Sequence, residues 1–268
     1  MTLNGKIILK GVGLHSGKEC ELVIEPYETD EILMNELPLK DFNFTGTNRG
    51  SDYVFEDGSR IKTCEHVLSA LTGMGIWSGV KLTVKGGEMP ALDGCGRILS
   101  DEISKSPLKI PNKIKALEIS SPVIVFSEDR KRFVAAFPCD HLHVTYTVEY
   151  DFIGTQIFDY DHSPENYYEN ISRARTFAML SDIEYLRSHG MALGGSLDNA
   201  IVVGEKIQAS GGLHWPNEFV RHKILDLIGD LAALGRPLNA HIIAVRAGHE
   251  LHLKLAEELK KSYGRVGY

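Results

Sequence analysis

The chain has 268 residues, of which 43% are hydrophobic, 24% are charged and 8% are aromatic, and its net charge at pH 7 is -7. This composition is typical of a soluble globular protein and excludes the disordered, collagen-like and disulfide-scaffold classes. The acidic balance argues against nonspecific binding to nucleic acid or to an anionic membrane, although a small anionic substrate needs only a local positive site.

The first hundred residues predict short strands and one convincing helix. Apolar and polar residues alternate at 19–25 and 80–85, as they do in strands with one buried face. The period changes at 63–74, where apolar residues such as Val67 and Leu71 have helical spacing. We therefore expect a layer of strands that carries a helix.

The second half has the same order of strands and then helices. β-Branched and alternating apolar residues predict strands at 116–126, 132–137, 143–150, 199–203 and 239–245. Apolar residues at helical spacing predict helices at 171–189, 217–234 and 248–263. Tyrosine, aspartate and asparagine dominate residues 160–170, which predicts a loop.

A change of composition near the middle of the chain predicts two domains. Residues 106–113 combine two prolines with charged side chains, as linkers do. We expect an N-terminal domain at 1–108 and a C-terminal domain at 114–268. Strands followed by helices in both parts are typical of the α+β class, in which helices cover sheets.

The sequence has no feature of a membrane or disulfide-bonded protein. No stretch approaches the roughly 18 apolar residues of a spanning helix, and the first ten residues lack the apolar core of a signal peptide. The four cysteines are widely spaced without a C-x-x-C pair, so we interpret them as reduced thiols. We expect a cytoplasmic monomer without stable membrane insertion.

The helix predicted at 217–234 has two different faces. Its apolar stripe predicts core positions at Val220, Ile224, Leu227, Ile228, Leu231 and Leu234. His222, Asp226 and Asp230 follow at intervals of four residues and lie in one row along the helix. This row is either a solvent-facing acidic face or part of a metal site. A histidine and an aspartate one turn apart can bind one Zn²⁺, but a catalytic zinc usually takes three protein ligands.

Two further segments offer a third ligand. Glu65 and His66 are neighbours on the first helix, where side chains diverge by about 100°, so one division gives His66 the metal and Glu65 the reacting water. The alternative is a hydrogen-bonded core histidine. The Gly248-His249-Glu250 segment is another candidate, and its alternative is an exposed histidine near a helix cap.

His249 needs a carboxylate partner if it acts as an acid. The amino-terminal end of a helix carries partial positive charge and disfavours imidazolium. Asp230 lies one turn beyond Asp226 in the same row, too far along to be an equal ligand of the same ion. It is the natural candidate to orient a neighbouring imidazole.

Six motifs in fixed order resemble the UDP-3-O-acyl-N-acetylglucosamine deacetylase family over nearly the whole chain. They are G-V-G-L-H-S-G at 11–17, T-C-E-H-V-L-S-A-L at 63–71, S-R-A-R-T-F at 172–177, G-G-S-L-D-N-A-I-V at 194–202, N-E-F-V-R-H-K-I-L-D-L-I-G-D-L at 217–231 and G-H-E-L at 248–251. No single motif is specific, but the ordered set is. Members of this family are zinc amidohydrolases of lipid A biosynthesis.

The resemblance implies an enzyme that removes the N-acetyl group of an acylated UDP-sugar and releases acetate. It implies Zn²⁺ as the cofactor, and Fe²⁺ can replace zinc because both ions accept histidine and carboxylate ligands. The implied fold has two domains, each a β-sheet with helices. The helices of both domains pack between the two sheets, and the site lies at the domain junction.

The resemblance also assigns the catalytic groups residue by residue. The implied metal ligands are His66, His222 and Asp226. Glu65 is implied as the general base and His249 as the general acid, with Asp230 orienting it. Thr176 occupies a position near the reacting carbonyl.

Five residues correspond to positions that contact the substrate. Lys223 corresponds to a position near the sugar, and Phe177 to one that packs on the substrate. Glu149 and Tyr150 align with an acidic and aromatic pair that holds the uracil. His15, in the glycine-rich motif, is placed near the diphosphate.

Two rival functions use the same residues. One is a non-catalytic nucleotide-sugar binding protein with a metal site, but such a protein has no need of the proton acceptor Glu65 and the proton donor His249. The other is a structural zinc site, which normally closes with four protein ligands, often thiolates. The cysteines are not placed for that. A metal with three protein ligands and one open position would separate the three functions.

Overall fold

The computed structural model describes residues 2–3, 5–41, 43–47, 50–105, 107–108 and 114–264. Its strands are β1 (Thr2–Leu3), β2 (Ile7–Val12), β3 (Glu19–Pro26), β4 (Ile32–Met34), β5 (Leu37–Pro38), β6 (Asn43–Thr47), β7 (Gly50–Val54), β8 (Arg60–Ile61), β9 (Val80–Lys85), β10 (Pro107–Leu108), β11 (Leu117–Glu118), β12 (Val123–Phe126), β13 (Phe133–Pro138), β14 (Leu142–Tyr150), β15 (Gly154–Asp161), β16 (Phe177–Met179), β17 (Ile201–Val203) and β18 (Leu238–Val245). Its α-helices are α1 (Glu65–Gly73), α2 (Arg97–Lys105), α3 (Pro164–Asn170), α4 (Ile183–Ser188), α5 (Glu218–Leu231) and α6 (His249–Tyr263).

The N-terminal half contains a five-stranded sheet in the order β2-β3-β9-β4-β5. The strands predicted at 19–25 and 80–85 are β3 and β9, which pair antiparallel. Leu22, Ile24 and Leu82 are fully buried, so one face of the sheet is covered. The helix predicted at 63–74 is α1, and all of its residues are buried. A short helix buried on every side must lie between other layers of the protein.

The C-terminal half contains a larger sheet in the order β12-β13-β18-β14-β15, with β11 beside β18. Side chains alternate between its two faces, and Val144, Tyr146 and Ile242 on the inner face are fully buried. Helix α5 packs against β14 and β15, and α6 packs against β12 and β13.

Helix α1 packs against α5, and residues of both large sheets share one buried cluster with these helices. The predicted α+β class, with helices between two sheets, is confirmed.

Two predicted elements of the C-terminal half are interrupted in the structure. The strand predicted at 116–126 is divided into β11 and β12, because Pro122 has no N–H to donate to a ladder. The loop predicted at 160–170 is wrong for most of its length, because it contains the end of β15 and helix α3. Helix α3 begins with Ser163, whose hydroxyl accepts a hydrogen bond from Asn166 N, and with Pro164 in its first turn.

The helix predicted at 171–189 is wrong for most of its length. Residues 177–179 form β16, which pairs in parallel with β17, and only Ile183–Ser188 is α-helical. A partner strand more than twenty residues away along the chain overrides the local helical pattern, because sheet pairing depends on tertiary context.

The domain boundaries stay a prediction. Of the predicted linker at 106–113, only Pro107–Leu108 lies within the described residues, and this pair forms a strand with Thr2–Leu3. Among the helices that the structure describes, none combines the length and the apolar character that crossing a bilayer requires.

Substituting Gly229 by alanine is expected to destabilise the protein by about 1–3 kcal/mol, as overpacking of a core does. A Cβ atom at this position of α5 would lie 2.0 Å from the carbonyl oxygen of Glu65 on α1, so the two helices must separate. This cost exceeds the gain of about 1 kcal/mol in helix propensity. Denaturant unfolding measures the effect. Gly5→Ala, where a Cβ meets nothing within 4 Å, is the control, and equal stability of both variants would contradict the prediction.

Candidate active site

A cavity of about 540 Å³ lies where residues from both halves of the chain meet. Its lining comprises Leu14, Gly46, Glu65, His66, Arg132, Glu149, Tyr150, Thr176, Phe177, Ala178, Met179, Asp182, His222, Lys223, Asp226, Arg246, Ala247, Gly248, His249, Glu250 and Leu251. The volume is in the range of pockets that enclose a small molecule. Of the site residues predicted from the sequence, all except Asp230 and His15 line this cavity.

Two imidazoles converge on one carboxylate oxygen of Asp226, which brings three potential metal ligands together. The Oδ1 atom of Asp226 lies 3.3 Å from His222 Nε2 and 3.6 Å from His66 Nε2. His222, Asp226 and Asp230 are all buried, so the row on α5 is not a solvent-facing acidic face. Within the described part of the chain, Asp226 Oδ1 is buried and accepts no hydrogen bond. A buried, unpaired oxygen between two imidazoles is a position that a divalent cation would stabilise.

The ring of His222 is held in the orientation that metal binding requires. Its Nδ1 atom lies 3.0 Å from the carbonyl oxygen of Ala174, and a carbonyl can only accept. Nδ1 therefore carries the proton, and the lone pair of Nε2 faces Asp226. Burial lowers the pKa of His222 to about 3, which keeps the imidazole neutral. Burial alone would raise the pKa of Asp226, but the positive charges of Lys223 and His249 outweigh it and hold the pKa well below its usual range.

Lys223 contacts the same carboxylate from the other side. Its Nζ atom donates a hydrogen bond of 2.6 Å to Asp226 Oδ2. The charge of Asp226 outweighs burial and raises the pKa of the lysine, so the ammonium keeps its proton. Lys223 also lies 5.6 Å from the centre of the Phe177 ring. The amine thus supplies positive charge at the cavity wall beside the three converging ligand atoms.

Glu65, the first residue of α1, is a buried carboxylate at the cavity wall. Its Oε2 atom accepts a hydrogen bond of 3.0 Å from the backbone N–H of Ser51 on β7. Burial raises the pKa of Glu65, although His249 and His66 oppose that effect. A carboxylate with a raised pKa accepts protons near neutral pH better than an ordinary glutamate does.

His249 begins α6 and has Asp230 as its carboxylate partner. Its Nδ1 atom lies 2.9 Å from Asp230 Oδ2, and its Nε2 atom lies 3.8 Å from Asp226 Oδ2. Burial alone would lower the pKa of His249, but Asp230 and Asp226 outweigh it and raise the pKa to about 9. The imidazolium is therefore stable at neutral pH despite its place at the start of a helix.

Three residues that the sequence analysis missed complete this network. The Ser51 hydroxyl donates to Asp230 Oδ1. His252 Nδ1 lies 2.7 Å from Asp230 Oδ2, and the Tyr146 hydroxyl lies 2.9 Å from His252 Nε2. The spacing of three residues between His249 and His252 on α6 is a signal that could have revealed the second histidine. No local pattern identifies Ser51 or Tyr146.

The residues predicted to contact substrate lie on several elements around the cavity. Phe177 packs edge-on against Tyr150, with ring centres 5.3 Å apart, and Thr176 precedes it at the start of β16. Glu149, at the exposed end of β14, forms an ion pair of 3.2 Å with Arg246.

His15 is not among the lining residues, although its neighbour Leu14 is. The backbone N–H of His15 donates a hydrogen bond of 2.8 Å to the buried carboxylate of Glu88. Arg132 and Arg246 also line the cavity, and no sequence motif predicted their presence there.

Comparisons with known proteins place the chain in a family. The family model of UDP-3-O-acyl N-acetylglycosamine deacetylase matches residues 1–261. A UDP-3-O-acyl-N-acetylglucosamine deacetylase of Aquifex aeolicus is 38% identical over an alignment of 267 positions that covers 97% of this chain and 92% of the relative. A protein of the same name from Oleidesulfovibrio alaskensis is 36% identical, and the match covers 94% of this chain and 85% of the relative. One from Synechocystis is 34% identical, and the match covers 98% of this chain and 99% of the relative. The chain belongs to the UDP-3-O-acyl-N-acetylglucosamine deacetylase family.

Proposed function

We propose that this protein is a metal-dependent deacetylase that hydrolyses the N-acetyl amide of a UDP-3-O-acyl-N-acetylglucosamine in lipid A biosynthesis. The observation that carries the proposal is the convergence of His66, His222 and Asp226 in a cavity whose wall also holds Glu65 and His249. Because one chain supplies all of these groups, the reaction needs no second subunit.

The three converging residues fit a zinc ion. Two imidazole nitrogens and one carboxylate oxygen, with an open position toward a cavity, are the ligand set of catalytic zinc sites, and Fe²⁺ accepts the same donors. The unpaired Asp226 Oδ1 supports this assignment. A bound ion would supply Lewis acidity, which polarises the amide carbonyl and makes a water molecule more acidic.

The protein's own side chains move the protons. The Glu65 carboxylate accepts a proton from the attacking water, whose oxygen joins the carbonyl carbon. The Thr176 hydroxyl is the proposed donor to the oxygen that gains charge. The His249 imidazolium donates a proton to the nitrogen while the C–N bond breaks, because an amide nitrogen leaves poorly as an anion. The products are acetate and the free amine.

Asp230 acts through His249 and is a positioning residue. Its carboxylate fixes the ring of His249 by a contact with Nδ1, which leaves Nε2 to face the reacting groups. The contacts of Asp230 with Ser51 and His252 fix the carboxylate in turn. Such a chain of buried partners keeps the acid in one orientation.

The family resemblance supplies the substrate contacts, and all of the residues concerned except His15 line the cavity. We assign Lys223 to the sugar, Phe177 to a packing contact with the substrate, and Glu149 and Tyr150 at the end of β14 to the uracil. His15 is assigned to the diphosphate.

The test is an assay of acetate release from UDP-3-O-acyl-N-acetylglucosamine with acyl chains of several lengths, together with metal analysis. We expect one metal ion at this site and loss of activity when a chelator removes it, with recovery when Zn²⁺ is added. Acetate release that persists in fully metal-free protein would contradict the proposal. A non-catalytic binding protein would retain the substrate and release no acetate.

Replacing Lys223 by alanine is expected to weaken substrate binding and to keep the metal. A hydrogen bond from a charged group is worth about 1.5–3 kcal/mol, which corresponds to a rise of roughly 10- to 150-fold in Kd. The three ligand atoms do not include Lys223 Nζ, so metal content should equal that of wild type. Binding is measured by calorimetry, and Lys261→Ala, at exposed ion pairs with Glu257 and Glu258, is the control. Loss of the metal from Lys223→Ala would overturn the assignment of its role.

A further inference from the structure

A second cluster of histidines and aspartates lies on the outer face of the C-terminal sheet. In the ladder, His143 on β14 is beside His241 on β18 and beside Asp161 on β15, and Thr145 is beside Asp159. Val144 and Ile242, which alternate with these residues, are fully buried under the helices. The outer-face cluster, which comprises His143, Thr145, Asp159, Asp161 and His241, therefore points away from the helices and from the active-site ligands on them.

Three ligand atoms of this cluster already lie close together. His143, Asp159 and His241 each offer one atom, and these atoms are within 4.8 Å of one another. Asp159 Oδ1 is 2.8 Å from His143 Nε2, and the Thr145 hydroxyl lies 2.6 Å from Asp159 Oδ1 and 2.9 Å from His241 Nε2. Zinc binds nitrogen and oxygen at about 2.0–2.2 Å, which places tetrahedral ligand atoms about 3.3 Å apart. Only small side-chain movements separate this arrangement from a coordination site.

The ring of His143 has the partner that metal-binding histidines usually have. Its Nε2 atom faces Asp159, and its Nδ1 atom lies 3.4 Å from Asp161 Oδ1. A carboxylate on the far nitrogen fixes the tautomer and the orientation of a metal-bound imidazole. His141 Nε2 lies 2.9 Å from the same oxygen of Asp161 and holds that carboxylate in place. The cluster thus supplies ligands together with the groups that orient one of them.

Ion pairs alone give a weak account of this arrangement. Exposed ion pairs contribute only about 0–1 kcal/mol. A divalent cation gives a stronger account, because two imidazoles with ring centres 4.3 Å apart and the neighbouring Asp159 carboxylate can all bind one ion.

We propose that His143, Asp159 and His241 bind a divalent transition-metal ion of the zinc type, at a site separate from the cavity. Two imidazoles and one carboxylate favour Zn²⁺, Ni²⁺ or Cu²⁺ over Mg²⁺ or Ca²⁺, which prefer oxygen ligands. The ion would join three neighbouring strands, β18, β14 and β15, on the face that carries no helix. Water fills the remaining coordination positions.

The test counts Zn²⁺ ions bound per chain by equilibrium dialysis of protein without an affinity tag. We expect two ions in the wild-type protein and one in the double variant His143→Ala/His241→Ala. His189→Ala, at an exposed histidine whose ring Nδ1 lies near the Tyr185 carbonyl and the Ser188 hydroxyl, is the matched control and should retain two. Equal numbers of bound ions in the wild type and the double variant would overturn the proposal.

Two further variants separate this site from the active site and from misfolding. His66→Ala should lose the active-site ion and keep the outer-face ion. Loss of neither ion would contradict the proposed active site, whereas absence of the outer-face ion would contradict this inference. With His66→Ala protein, bound Cu²⁺ should give an electron paramagnetic resonance spectrum with splitting from two nitrogens. Asp159→Asn, a mild change at an exposed side chain, should weaken Cu²⁺ binding while the circular dichroism stays unchanged. A Cu²⁺ spectrum without nitrogen splitting would also overturn the proposal.

Discussion

Replacing Glu65 by glutamine is expected to lower kcat for deacetylation by about 10²–10⁴-fold, which is the usual contribution of a general base. The amide has the shape of the carboxylate, and its oxygen can still accept the hydrogen bond from the Ser51 N–H. It cannot take a proton from water. Metal content should stay unchanged, because Glu65 is outside the set of His66, His222 and Asp226.

The measurement combines single-turnover acetate release with metal analysis of the same Glu65→Gln preparation. Glu102→Gln is the matched control, since Glu102 forms a surface ion pair with Lys105 on α2, which has no residue in the cavity. The control should retain wild-type kcat. Unchanged turnover in metal-loaded Glu65→Gln would exclude Glu65 as the base and require another proton acceptor at the cavity wall.

The row on α5 illustrates what a sequence can predict about such a site. The period of 3.6 residues decides which side chains share a helix face, so the apolar stripe and the row of His222, Asp226 and Asp230 follow from spacing alone. Both bounds of α6 and the start of α5 agree with the prediction to within one residue. The last three residues predicted for α5, Ala232–Leu234, form a 3-10 turn instead of α-helix.

Contacts between distant segments could not be predicted in the same way. Ser51 and Asp230 are 179 residues apart along the chain, and the approach of β7 to α5 depends on how the two halves pack. The error at 171–189 has the same origin, since β16 exists only because β17 pairs with it. The outer-face cluster also depends on sheet order, which brings His143 beside His241.

The predicted role of Asp230 gives a pH dependence with a definite sign. Glu65 must be ionised and His249 protonated, so activity should be bell-shaped in pH, and the alkaline limb belongs to the pair of His249 and Asp230. The carboxylates raise the pKa of His249 to about 9. Asp230→Asn removes the closest of these charges, so the imidazolium loses its proton at lower pH. The alkaline limb should move down by about 1–3 pH units, as expected for removal of an adjacent opposite charge.

The experiment is a profile of kcat/KM against pH for wild type and Asp230→Asn, with metal content measured in parallel. A divalent cation on the three ligands lowers the pKa of His249 in both proteins, so the direction of the difference between them is unchanged. Asp101→Asn, at a surface ion pair with Arg97, is the control and should leave both limbs in place. An unchanged alkaline limb in fully metallated Asp230→Asn would show that Asp230 does not control the pKa of His249. A shift to higher pH would instead identify a different group as the acid, because loss of a negative charge can only lower the pKa of a neighbouring imidazolium.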